Sequence, residues 1–179
     1  MTRLHTLGVS ANQITWTSIL LSLAIGIAFW FAAESRILFW ALPVGLFARM
    51  ALNALDGMMA RVYNQQSKSG ELLNEAGDII SDLFIYFPLL RFEQANMYLI
   101  VLFICGSIVN EFAGLLGKVI SGVRRYEGPM GKSDRALLIG LYGIASWFQV
   151  ITPERSFWVF VIADLLLILS TSLRLKKSL

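Results

Sequence analysis

Six apolar stretches, at about 14–32, 37–59, 72–90, 97–120, 136–151 and 157–173, follow one another with short polar breaks between them. Each is close to the ~20 residues that an α-helix needs to cross a hydrocarbon layer. Inside such a layer the backbone polar groups of a segment must be satisfied without water, which a helix does unaided. The expected fold is therefore all-α, a polytopic membrane protein with six transmembrane helices. Hydrophobic residues make up 56% of the 179-residue chain and mean hydropathy is +0.66, which leaves no room for a separate soluble domain. One membrane domain over 1–179 is expected, multi-pass and in the plasma (inner) membrane.

Residues 1–11 are short and polar, and the first apolar run has the length of a span rather than of a signal core, so no cleavable leader is expected. Cys105 is the lone cysteine, so no disulfide framework exists. Nothing points to a nucleic-acid partner; membrane lipids are the expected surroundings. If six helices alternate in direction, Arg3, Arg61, Lys68, Lys118, Arg124, Arg125, Lys132, Arg135, Arg174, Lys176 and Lys177 fall on one side. Only Arg36, Arg91 and Arg155 fall on the other. That bias predicts both termini on the cytoplasmic side.

Against this apolar background, the second and third spans carry ionisable groups over 53–82. Asn53, Asp56, Gly57, Ala60 and Arg61 close the second, and Gly70, Asn74, Asp78 and Asp82 run into the third. Acids at such depth are expensive and functional by default. Asn53, Asp56 and Ala60 are three and four residues apart, and Asn74, Asp78 and Asp82 are four apart, so each set shares one helix face. With the two helices antiparallel across the short segment 62–69, the faces meet. At ~1.5 Å per residue, Asp56 lies about 7 Å inside Arg61 and Asp78 about 12 Å inside Gly70, a shallow layer beneath the cytoplasmic surface.

Other polar groups in the spans carry more than one reading. Asn12 either caps the first helix or touches substrate. Arg49 needs an acidic or polar partner, for which Glu111 is the candidate. Glu71 suits a helix N-terminus, and Glu75 stands at the edge of the acidic face. Asp164 has no partner that the sequence identifies, and His5 receives no role. The segment 118–135 is basic, through Lys118, Arg124, Arg125, Lys132 and Arg135. It either anchors the chain beside anionic lipid or binds a phosphate-bearing substrate.

Carboxylates with few other ligand types suit a hard cation, Mg²⁺ or Mn²⁺, rather than zinc. Gly57, Ala60 and Gly70 lack bulk where a nucleotide would approach the backbone. Together with the nearby arginines, these features suggest handling of a phosphate ester at a membrane surface.

The stretch resembles the CDP-alcohol phosphotransferases, integral membrane enzymes of phospholipid synthesis with the pattern D-x2-D-G-x2-A-R-x8-G-x3-D-x3-D. Asp56, Gly57, Ala60, Arg61, Gly70 and Asp78 match it at unbroken spacing, while Asn53 and Asn74 stand at its first and third aspartates. The resemblance implies transfer of a phosphatidyl group from a CDP-linked lipid, typically CDP-diacylglycerol, to an alcohol acceptor with release of CMP. It implies two divalent metals between the second and third helices, with Asp56, Asp78, Asn53 and Asn74 as ligand positions. Asp78 would be the catalytic base, and Gly57, Ala60, Arg61 and Gly70 would face the nucleotide. Lys118, Arg124, Arg125, Lys132 and Arg135 would receive a phosphorylated acceptor. A homodimer is expected from the same resemblance. The asparagines remove two negative charges, which Asp82 or Glu75 would restore if either turned to the metal; Asp82 reads equally as a polar partner inside the bundle. A non-catalytic scaffold that binds a CDP-lipid or a partner protein is the rival reading.

Overall fold

The computed structural model describes residues 2–179, and all regular structure among them is helical. The chain forms two compact units, Met1–Tyr86 and Phe87–Leu179.

In the first unit a short helix α1 (Thr2–Thr6) precedes α2 (Ala11–Trp30). The start of α2 is set by Ser10, not by Asn12. Ser10 Oγ accepts from the Gln13 N–H at 3.3 Å, and the Ser10 N–H donates to Gln13 Oε1 at 2.9 Å. This reciprocal pair satisfies two groups that a helix start would otherwise leave open. Two 3₁₀ turns, Phe31–Ala33 and Arg36–Trp40, lead into α3 (Ala41–Val62), and α4 (Lys68–Tyr86) follows after a short loop. α2 packs along both α3 and α4, whereas α3 and α4 reach each other through polar side chains. The approach of α2 to α4 depends on glycine: a Cβ on Gly77 would lie 2.7 Å from Ile19 Cδ1, and one on Gly26 would collide with the Phe84 carbonyl. Gly26→Ala is accordingly expected to lower stability by about 1–3 kcal/mol, the usual cost of overpacking. Denaturation in detergent checks this, and an unchanged midpoint would mean that the helices part freely.

The second unit holds α5 (Leu89–Phe92), a 3₁₀ turn at Gln94–Asn96, α6 (Met97–Ser121), α7 (Lys132–Trp147) and α8 (Pro153–Ser178). Gly122 ends α6 at φ 76°, a left-handed conformation that glycine adopts without strain. Thr152 caps α8, with a proline in the first turn, where the missing N–H costs nothing. α6 packs on α8, and Phe103 meets Phe160 edge-on with ring centroids 5.4 Å apart. Glu111 on α6 binds Arg135 at 2.8 Å and Arg124 at 2.9 Å, while Arg174 donates to the Asn110 carbonyl at 2.7 Å. Glu111 is thus engaged here rather than by Arg49, the partner expected for it. Both Asp164 carboxylate oxygens lack a hydrogen-bond partner among the described residues.

Polarity is inverted relative to a water-soluble bundle. Phe47 is 77% and Leu20 62% exposed, whereas Arg49 is 2% and Asp56 5% exposed. Four segments, Ala11–Ala33, Arg36–Val62, Gln94–Ser121 and Pro153–Ser178, are long and apolar enough to cross a membrane. α4 and α7 are the two expected spans outside that set. α4 carries Glu71, Glu75, Asp78 and Asp82 in its 19 residues, and α7 has only 16 residues.

Candidate active site

The first three long helices build the site. Thr15, Ser18 and Ser22 are buried and spaced three and four apart, so they form a polar stripe on one face of α2. Thr15 Oγ1 donates to Asp56 Oδ2 at 2.8 Å, and Ser18 Oγ donates to Asn53 Oδ1 at 2.6 Å. Asn53 Nδ2 in turn donates to Asp78 Oδ1 at 3.3 Å, which joins α3 to α4. One turn deeper, Arg49 Nη1 donates to Asp82 Oδ1 at 2.7 Å. Its Nη2 donates to the Asp78 carbonyl at 3.3 Å and lies 3.9 Å from Asp78 Oδ1.

Beside this array opens a cavity of about 560 Å³. Asp56, Gly57, Ala60 and Arg61 of α3 line it, together with Gly70 and Asn74 of α4, while Asn12 and Thr15 of α2 form a third wall. Asn53, Asp78 and Asp82 are not part of its lining. They lie between three and eight residues further along the same two helices. A Cβ on Gly70 would stand 2.7 Å from Asn12 Oδ1, so a larger residue there would displace the Asn12 side chain. Arg61 folds back along α3, its Nε donating to the Gly57 carbonyl at 3.1 Å. The mouth is tied down where the Ala11 N–H donates to Gln65 Oε1 at 2.7 Å.

The basic residues singled out in the sequence lie in the second unit. Arg124 and Arg135 are brought together on Glu111. Arg125 Nη2 donates to Ser121 Oγ at 3.1 Å, and its Nη1 lies 3.8 Å from Glu127. The Glu127 carboxyl is held below the usual carboxylate range by its own backbone N–H and that of Tyr126, aided by Lys177 and Arg125. Lys118 is exposed and Lys132 half-buried.

Among the described residues no group of three or more His, Cys, Asp or Glu side chains is placed to hold a metal ion. The acidic and amide groups at the cavity nevertheless offer oxygen: the Asp56 and Glu71 carboxylates and the Asn74 amide line it, and the Asp78 carboxylate lies one turn beyond Asn74. That chemistry fits a hard divalent cation.

A family model described as CDP-alcohol phosphatidyltransferase matches residues 8–172. The inner membrane protein YnbA of Escherichia coli (strain K12) is 48% identical over 163 residues, covering 89% of this chain and 79% of that protein. Two solved structures of phosphatidylinositol phosphate synthase from Mycobacterium tuberculosis share the fold. One has CDP-DAG bound, the other manganese and citrate. Each aligns with a TM-score of 0.81 and 18% identity over 99% of this chain, covering 90% and 86% of the neighbour respectively. The fold is that of a helical integral membrane protein. This chain belongs to the CDP-alcohol phosphatidyltransferase family, a family of divalent-metal phosphatidyl transfer from CDP-linked lipids in phospholipid synthesis.

Proposed function

We propose that this chain transfers the phosphatidyl group of a CDP-linked lipid such as CDP-diacylglycerol to an alcohol, with release of CMP. The observation that carries this reading is the cavity itself: Asp56, Gly57, Ala60 and Arg61 of α3 and Gly70 of α4 line one space beside Asp78. CDP-DAG in the structurally similar synthase supports the lipid class. In the reaction the acceptor oxygen bonds to the lipid-side phosphorus, the bond from that phosphorus to the oxygen of the departing CMP breaks, and Asp78 takes the hydroxyl proton. Gly57, Ala60 and Gly70 admit the nucleotide against bare backbone, and Arg61 swings from its own helix to the diphosphate. Asp56, Asp78 and Asn74 would hold Mg²⁺ or Mn²⁺, which supplies positive charge to the diphosphate when bound. Asp82, held by Arg49, is assigned to the scaffold rather than to the cation.

The charge bias supports six spans in the inner membrane, with both termini and the cavity mouth on the cytoplasmic side. A phosphorylated acceptor would be drawn to Lys118, Arg125 and Lys132, and would have to compete with Glu111 for Arg124 and Arg135. A homodimer is retained from the family resemblance. The scaffold reading is favoured by one observation, the Asn53 amide bonded to Asp78, where a base would need to be accessible.

The deciding experiment measures CMP release from CDP-diacylglycerol by the purified chain in bilayers, with Mg²⁺, Mn²⁺ or chelator, across a panel of alcohols. Cation-dependent release that requires one alcohol is expected. CDP-lipid binding without release across the whole panel would establish the scaffold instead.

A further inference from the structure

We infer that this site holds one divalent cation rather than two, because the Asn53 amide N–H fills the place between residues 53 and 78 that a second ion would occupy. The inference rests on the cation-assisted reading above and deepens it.

The side of Asn53 that faces Asp78 is its NH₂ group, with Nδ2 donating to Asp78 Oδ1 at 3.3 Å. The amide oxygen, the only atom of Asn53 that can ligate a cation, therefore faces the other way. There Ser18 Oγ donates to it at 2.6 Å. Two carboxylates brought to hydrogen-bond distance would repel and call for a cation between them; an amide and a carboxylate bond directly and call for none. Positive charge is already present on this side of Asp78, since Arg49 Nη2 lies 3.9 Å from the same Oδ1. The acid one turn deeper cannot make up the ligand set, because Asp82 is bound to Arg49 at 2.7 Å. What remains for a cation is the cavity end of the array, where Asp56, Glu71 and Asn74 stand.

The test counts Mn²⁺ on the purified full chain by titration calorimetry and by electron paramagnetic resonance. The wild-type chain is expected to bind one ion with the six-line spectrum of isolated Mn²⁺. Asn53→Asp is expected to bind two, with the spectrum of a coupled pair, since ions sharing such a site lie about 3.5–4 Å apart. Asn53→Ala is expected to keep the single ion. Two ions on the wild-type chain, a folded Asn53→Asp chain that still binds one, or loss of the ion in Asn53→Ala would each overturn the inference. The wild-type count stands even where a variant does not fold. CMP release with two ions bound would overturn this inference alone; one bound ion without CMP release would overturn only the proposed reaction.

Discussion

Asp78→Asn is expected to reduce CMP release by about 10²–10⁴-fold, the range that a positioned base contributes, while CDP-lipid binding persists. The substitution keeps the shape of the side chain and removes only its capacity to take a proton. An asparagine at 78 still offers Asn53 Nδ2 an acceptor oxygen, so the link between α3 and α4 survives. Arg49 keeps both its 2.7 Å bond to Asp82 and the 78 carbonyl, neither of which depends on the 78 side chain. Single-turnover CMP release and CDP-lipid binding, measured on the same preparation with its denaturation midpoint, separate the roles. Loss of binding together with loss of the folded state would make Asp78 a structural residue.

Arg49→Met is expected to cost about 3–5 kcal/mol of stability, the penalty for leaving one member of a buried ion pair without the other. Arg49 is 2% and Asp82 5% exposed, and the pair lies well inside α3 and α4, so water cannot replace the lost partner. The double variant Arg49→Met with Asp82→Leu is expected to recover most of the loss, because two apolar side chains of similar volume need no pairing. Unfolding in mixed micelles of the wild-type chain, Arg49→Met, Asp82→Leu and the double variant gives the coupling directly. A double variant no more stable than the single one would show that Asp82 gains nothing from Arg49, and the assignment of this pair to the scaffold would fall.

The site was legible where spacing alone decides what shares a helix face. Of the two sets read from intervals of three and four, Asp56, Ala60 and Asn74 line one cavity, whereas Asn53, Asp78 and Asp82 lie further along the same helices; Gly57, Arg61 and Gly70, which also line it, were read from the family pattern. The deeper residues were harder. Arg49 invited an acidic partner, but nothing in the sequence separates Asp82, 33 residues away, from Glu111 as that partner. The contribution of α2 was largely hidden. Thr15 and Ser18 reach Asp56 and Asn53 across 41 and 35 residues, pairings that no local pattern specifies. Their spacing with Ser22 was a usable signal, because three hydroxyls on one stripe of an apolar helix imply a polar neighbour. Ser10 was also readable: serine followed three residues later by glutamine is the signature of a reciprocal cap. The span count depended on apolar length, and that measure weakens in α4, where four acids occupy the helix, and in α7, which is short.

The helices that wall the cavity occupy one continuous stretch of chain, ending within the unit that closes at Tyr86. Because a ribosome delivers the N-terminal part first, every residue that lines the cavity has been synthesised before Phe87 is added. The acids of the cavity and the hydroxyls and amides that hold them therefore leave the ribosome together. A buried carboxylate on α3 need not wait for the second half of the chain to be translated before its α2 partner exists.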